Sequence, residues 1–93
     1  MIVYYLYLSQ NIVDIYNEKG MIQEAINFCE KQEQFVTSLK FKDDFLIPEL
    51  YRSYGEIAFK SDQFEIDIRV YTKLLDFDEH ASLAQSRLNA IPV

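Results

Sequence analysis

From Tyr4 to Glu18 the apolar residues Tyr5, Leu8, Ile12, Ile15 and Tyr16 recur at steps of three and four, a pattern that predicts a helix running up to a stop at Lys19-Gly20. After Gly20, Ile22, Ala25, Ile26, Cys29, Val36 and Leu39 fall on one face, while Gln23, Glu24, Asn27, Glu30, Lys31 and Glu33 fill the other. That alternation predicts a long second helix ending at Ser38 or Leu39. Residues 40–47 (KFKDDFLI) mix charges with bulky apolar groups and read as a short loop. Asp43 or Asp44 can cap a third helix, and Pro48 suits its first turn. This third helix is marked by Leu50, Tyr51, Tyr54, Ile57 and Ala58, ends near Lys60-Ser61, and leaves Asp62 to support a turn or an N-cap. Phe64, Ile68, Tyr71, Leu74 and Leu75 then mark a fourth helix. Asp78 is placed as an N-cap before a narrower, more polar fifth helix, whose stripe is Ala81, Ala84, Leu88 and Ile91 before Pro92.

The chain contains two similar segments, residues 16–29 (YNEKGMIQEAINFC) and 59–71 (FKSDQFEIDIRVY), each reading as helix, tight polar turn and amphipathic helix. In the second copy, Tyr51, Tyr54, Gly55, Ala58, Phe64, Ile68, Tyr71, Lys73 and Leu75 resemble a tetratricopeptide repeat: aromatic, large apolar, Gly, turn, aromatic, then a second amphipathic helix. The earlier copy is similar at Ile12, Tyr16, Gly20, Ile22, Ala25 and Ile26. The chain departs from that pattern where Asp67 replaces a small Ala, Glu79 a Pro and Val13 a Gly. Gly20 and Asp62 occupy equivalent turn positions 42 residues apart, against about 34 in the standard repeat. Long repeats of this kind are similar to the C-terminal domains of Gram-positive peptide-pheromone-sensing transcription regulators. The resemblance implies an all-α fold, two antiparallel helical hairpins stacked as tetratricopeptide-like repeats plus a C-terminal capping helix. Residues 1–93 then form a single domain, or a fragment of a longer protein.

Composition narrows the function. A chain of 93 residues, 49% hydrophobic and 26% charged, holds one small core. Two Gly and two Pro leave few places to turn, which favours long helices over many short strands. A net charge of -6 repels phosphate backbones, so direct nucleic-acid binding is not expected and a basic partner is the easier one to attract. The single cysteine, Cys29, sits at an apolar helical position and reads as a small buried hydrophobe, which suits a reducing cytoplasm.

In repeats of the resembled type the first helix of each pair lines the concave face. The likeness therefore implies a peptide-binding groove built from Tyr7, Gln10, Asn11, Asp14 and Asn17 of the first pair. Glu49, Arg52, Ser53, Glu56, Phe59 and Lys60 would join them from the second. The amides could pair with an extended backbone, Tyr7 and Phe59 could anchor apolar groups, and Asp14 and Glu56 disfavour a carboxylate clamp. These residues read equally well as solvated helix faces.

The opening run, residues 1–8 (MIVYYLYL), has no basic leader or small-residue cleavage site and is shorter than the roughly 20 residues of a bilayer span, so neither a signal peptide nor a membrane anchor is expected. Ile2, Tyr4, Tyr5 and Leu8 are the candidate surface for a homodimer through the N-terminal helix, or for docking on a neighbouring segment. An enzyme is not expected, because one His, one Cys and scattered carboxylates offer no phosphate loop and no spaced metal-ligand set. His80 beside Asp76, Asp78 and Glu79 reads as capping and solvation rather than a metal site, and no cofactor is implied. The expected function is a protein or peptide interaction module. The second reading is the ligand-sensing or dimerising part of a bacterial transcription regulator whose DNA-binding domain lies elsewhere.

Overall fold

The computed structural model describes residues 2–92, Ile2 by its backbone alone. The fold is all-α. Five helices succeed one another as α1 (Ile2–Glu18), α2 (Ile22–Ser38), α3 (Leu46–Lys60), α4 (Phe64–Leu74) and α5 (Asp78–Ala90), with no strand among the described residues. By contact the chain divides into two compact units, Met1–Leu50 and Tyr51–Val93. The first holds α1, α2 and the opening turn of α3, and the second holds the rest of α3 with α4 and α5.

Helices α1, α2 and α3 end in one device. Gly20, Lys40 and Asp62 adopt left-handed backbone, with φ of 75°, 52° and 59°. The amides of Met21, Phe41 and Gln63, each one residue later, donate back to the carbonyls of Tyr16, Val36 and Ala58 at 2.9, 3.0 and 3.0 Å. This is the Schellman arrangement, which satisfies helix-end carbonyls and reverses the chain. Gly20 and Asp62 are thus equivalent in backbone geometry as well as in sequence. Asp62 supports the turn and is not an N-cap. Lys40 is the least comfortable of the three, since left-handed backbone crowds a Cβ and a lysine cannot bond locally to compensate.

The start of α3 is fixed by Asp43, whose Oδ1 accepts from the backbone amides of Phe45 and Leu46 at 2.9 and 2.7 Å. Those bonds hold its carboxyl below the usual carboxylate range, the Leu46 amide contributing most. At the start of α5, by contrast, Phe77 occupies the N-cap position with extended backbone and no side-chain cap bond, and Asp78 is the first helical residue. The capping role read for Asp78 is corrected. Its charge in the first turn still complements the helix dipole.

In the first unit α1 packs against α2. The face that α1 buries is Leu6, Ser9 and Val13, while Tyr5, Leu8, Ile12 and Ile15, most of the stripe expected to be core, lie 38–50% exposed. The α2 residues Ala25, Ile26, Cys29, Gln32, Glu33 and Val36 are buried. Small residues on both helices, Ser9 and Val13 on one and Ala25 and Cys29 on the other, admit close backbone approach; a face of tyrosines and isoleucines would hold the helices apart. Leu6, Val36, Leu46 and Leu50 form a core cluster with Phe41 and Ile47 packed against it. Tyr5 also meets Phe35 edge-on at 4.9 Å between ring centres.

In the second unit the α3 stripe is buried as expected at Tyr51, Tyr54, Ile57 and Ala58. Gly55 lies against the Tyr71 ring so closely that a Cβ on Gly55 would stand 2.7 Å from the ring's Cζ. α4 buries Asp67, Val70, Tyr71 and Leu74, leaving Ile68 exposed where the sequence pattern had put it in the core. Arg69 and Lys73, one helical turn apart on α4, stack over the Tyr54 and Tyr51 rings at 5.7 and 5.3 Å. α5 contributes Ala84 and, just past its end, Ile91 to the core.

Candidate functional site

Among the described residues, the first unit holds a well-formed apolar hollow, a cavity of about 170 Å³. Leu6, Tyr7 and Gln10 of α1, Gln32 of α2, and Phe45, Leu46, Glu49 and Leu50 at the start of α3 line it. Leu6, Gln32, Leu46 and Leu50 are buried, whereas Tyr7 and Phe45 are more than half exposed, so the cavity has an inner wall of leucines and an aromatic rim. The Asp43 cap sets this geometry by starting α3 at Leu46, which turns Leu46, Glu49 and Leu50 toward one side of the helix.

Gln32 is the unusual member. It is 1% exposed, and its Nε2 has no hydrogen-bond partner. A buried amide donor left unpaired is unfavourable by about 1–3 kcal/mol, so such a group calls for a partner. In sequence Gln32 lies on the apolar stripe of α2 between Cys29 and Val36, and its polar character there gave no sign of its burial. Cys29, fully buried beside it on the helix, has its thiol pushed up to about 12, first by burial and then by the charges of Asp14 and Glu33. That thiol is a packing group and not a nucleophile.

Of the groove residues inferred from sequence, Tyr7, Gln10 and Glu49 line the cavity. Asn11 and Asp14 are exposed on α1, Asn17 is half-buried, and Asp14 accepts from Gln10 Nε2 at 3.3 Å. The remaining inferred positions belong to the second unit. Arg52 and Phe59 are half-buried and Lys60 is exposed, but Ser53 is only 7% exposed and is a core residue. Glu56 is held by Arg87 of α5 through two parallel bonds of 2.8 and 2.9 Å, and the Tyr71 hydroxyl donates to the same carboxylate. The Arg87 pairing, with Tyr71 assisting, holds the Glu56 carboxyl below its ordinary range against partial burial. Burial and the adjacent carboxylate push the Tyr71 phenol up. Arg87 also stacks over the Phe59 ring at 5.2 Å. Glu56 and Phe59 are therefore engaged within their own unit.

Asp67, one turn into α4, is fully buried, and neither of its carboxylate oxygens has a hydrogen-bond partner. Burial pushes its carboxyl up to about 6, the Glu56 charge adding to the effect and Arg87 opposing it. Ionisation is disfavoured because nothing solvates the anion there. On the N-terminal helix Tyr4, Tyr5 and Leu8, three of the residues read as an association surface, are exposed, Tyr4 to 65%; the Ile2 side chain lies outside the described residues. No set of three or more His, Cys, Asp or Glu side chains among the described residues is arranged to hold a metal ion. No described helix is long and apolar enough to cross a membrane. No protein-family model matches this chain, and no curated protein or solved structure does either.

Proposed function

We propose that this chain is a non-enzymatic interaction module that captures a peptide segment of a partner protein, with the cavity of the first unit as the anchor site. The observation that carries the reading is the meeting of Tyr7, Gln10 and Glu49, chosen as groove residues from sequence, with an inner wall of Leu6, Leu46 and Leu50. A hollow with apolar walls and a few polar groups at defined places is the usual form of a small-molecule or side-chain binding site. The net charge of -6, with Glu49 on the cavity wall, favours a peptide with basic residues next to the anchor. Membership of the tetratricopeptide-like superfamily and a cytoplasmic setting belong to the same proposal.

A second reading is favoured by one specific observation. Val3, Tyr4, Tyr7 and Leu8 make an apolar face on α1 that is 44–65% exposed, which suits self-association through this helix, as in the dimerising part of a transcription regulator. Selection of peptides from a random display library on the immobilised chain separates the two. The peptide reading expects enriched sequences with an apolar anchor beside Lys or Arg. A library that enriches nothing over an unrelated acidic helical protein, together with a concentration-dependent dimer in sedimentation, would replace it with the second.

A further inference from the structure

Resting on the peptide-binding reading, we propose that the group the cavity takes is a neutral phenol, the side chain of a tyrosine in the partner segment, with the Gln32 amide as donor to the phenol oxygen. Size sets the first condition. About 170 Å³ is close to the roughly 150 Å³ of an apolar cavity that admits benzene, so one aromatic ring fills the space. The walls set the second, because Leu6, Leu46 and Leu50 offer a ring dispersion contacts and nothing polar.

Gln32 sets the third condition. It lines the cavity, is buried, and its Nε2 lacks an acceptor. The Nε2 is sealed from solvent in the free chain, and because the terminal torsion of a glutamine side chain is broad and roughly two-fold, a half-turn that exchanges it with the amide oxygen presents the donor to an incoming ligand. A ligand with an apolar body and an acceptor at its far tip satisfies walls and donor together, which a phenylalanine, a leucine or a glutamine side chain does not. A carboxylate at the tip is disfavoured by Glu49 on the wall and by the charge of the whole chain.

The test is an NMR titration of the isotopically labelled chain with N-acetyl-tyrosine amide and N-acetyl-phenylalanine amide, repeated on Gln32→Leu. The expected result is tyrosine binding at least about fivefold tighter than phenylalanine, with the Leu6 and Leu50 amides shifting, and loss of that preference in Gln32→Leu while phenylalanine binding is kept. Equal affinities in the native chain, or a preference that survives Gln32→Leu, would overturn the phenol assignment and leave the peptide reading standing, provided Leu6 and Leu50 still shift. No shift at those residues with either ligand up to tens of millimolar removes the cavity as a binding site and both readings with it. Shifts at Leu6 and Leu50 that track protein concentration without added ligand overturn the proposal in favour of a second copy. The comparison of ligands on the native chain holds whether or not the variant folds.

Discussion

Replacing Asp67 with alanine should stabilise the protein at neutral pH and should change how its stability depends on pH. The carboxyl is pushed from its ordinary 3.8 up to about 6 in the folded chain, with burial as the main cause. At about 1.4 kcal/mol per pH unit, the shift corresponds to about 3 kcal/mol between the folded and unfolded states. The folded chain holds the Asp67 proton to higher pH than the unfolded chain does. Stability from this group is therefore complete below pH ~4, is lost as pH rises through ~4 to ~6, and stays lost above that. The Glu56 and Asp43 carboxyls act in the opposite sense, since both are held below their ordinary range and weaken the fold as acid protonates them. Subtracting the Asp67→Ala profile from the native one removes the Asp43 effect and leaves of Glu56 only its coupling to Asp67. Alanine suits the helix interior and the buried site, so the missing contacts of the shortened side chain add only an offset that does not vary with pH. Urea denaturation monitored by helical circular dichroism at half-unit steps from pH 4 to 8 measures the difference directly. The variant is expected to gain about 2 kcal/mol on the native chain as pH rises from ~4 to ~7.5, the rest of the effect lying below pH ~4. A flat difference curve would mean that the carboxyl is as well solvated in the fold as outside it, and a variant that loses ground as pH rises would mean that Asp67 is ionised and paired, both contrary to the burial and missing partners described for it.

Gly55→Ala should destabilise the second unit by about 1–2 kcal/mol, because a Cβ 2.7 Å from the Tyr71 ring overrides the roughly 1 kcal/mol that alanine gains over glycine in a helix; an equal or higher melting temperature would show that the ring moves freely. Lys40→Gly should stabilise by about 0.5–1 kcal/mol by relieving the left-handed lysine at φ 52°, while Gly20→Val should destabilise by more than about 1 kcal/mol at φ 75°, both read from urea midpoints. Glu56→Gln should weaken the fold at pH 7 by about 1–3 kcal/mol, since it breaks the two-bond pairing with Arg87, and the deficit should shrink as pH falls through the carboxylate range; a pH-independent deficit would assign the loss to packing. Cys29, buried with its thiol at about 12, should react with a disulfide reagent only at the rate of unfolding, and labelling within seconds in native buffer would contradict its burial.

Some of these features were legible in the sequence because local chemistry decides them. The turns at Gly20 and Asp62 arise from residues that tolerate left-handed backbone, the Asp43 cap from a short side chain before an apolar run, and the α3 stripe from a spacing with no competing face. The burial of α1 was not legible in the same way. Its apolar residues surround the helix, and hydropathy ranks faces by oiliness, whereas packing against α2 selects the face with small Ser9 and Val13. Ile68 and Asp67 show the same limit on α4: the aspartate is buried and the isoleucine exposed, an inversion that periodicity cannot report. Part of the candidate site was visible, in Tyr7, Gln10 and Glu49. Its donor was not, because Gln32 occupies a stripe position where a polar residue reads as noise until its burial is known.

The central claim, that the hollow beside Leu6 and Leu50 anchors a partner's side chain, is tested most directly by measuring nuclear Overhauser contacts between an aromatic ring of a selected peptide and the leucine methyls of the chain. Contacts from the ring to Leu6, Leu46 and Leu50 are the predicted result. Contacts to Leu8 of the exposed α1 face instead, with none to those leucines, would contradict it.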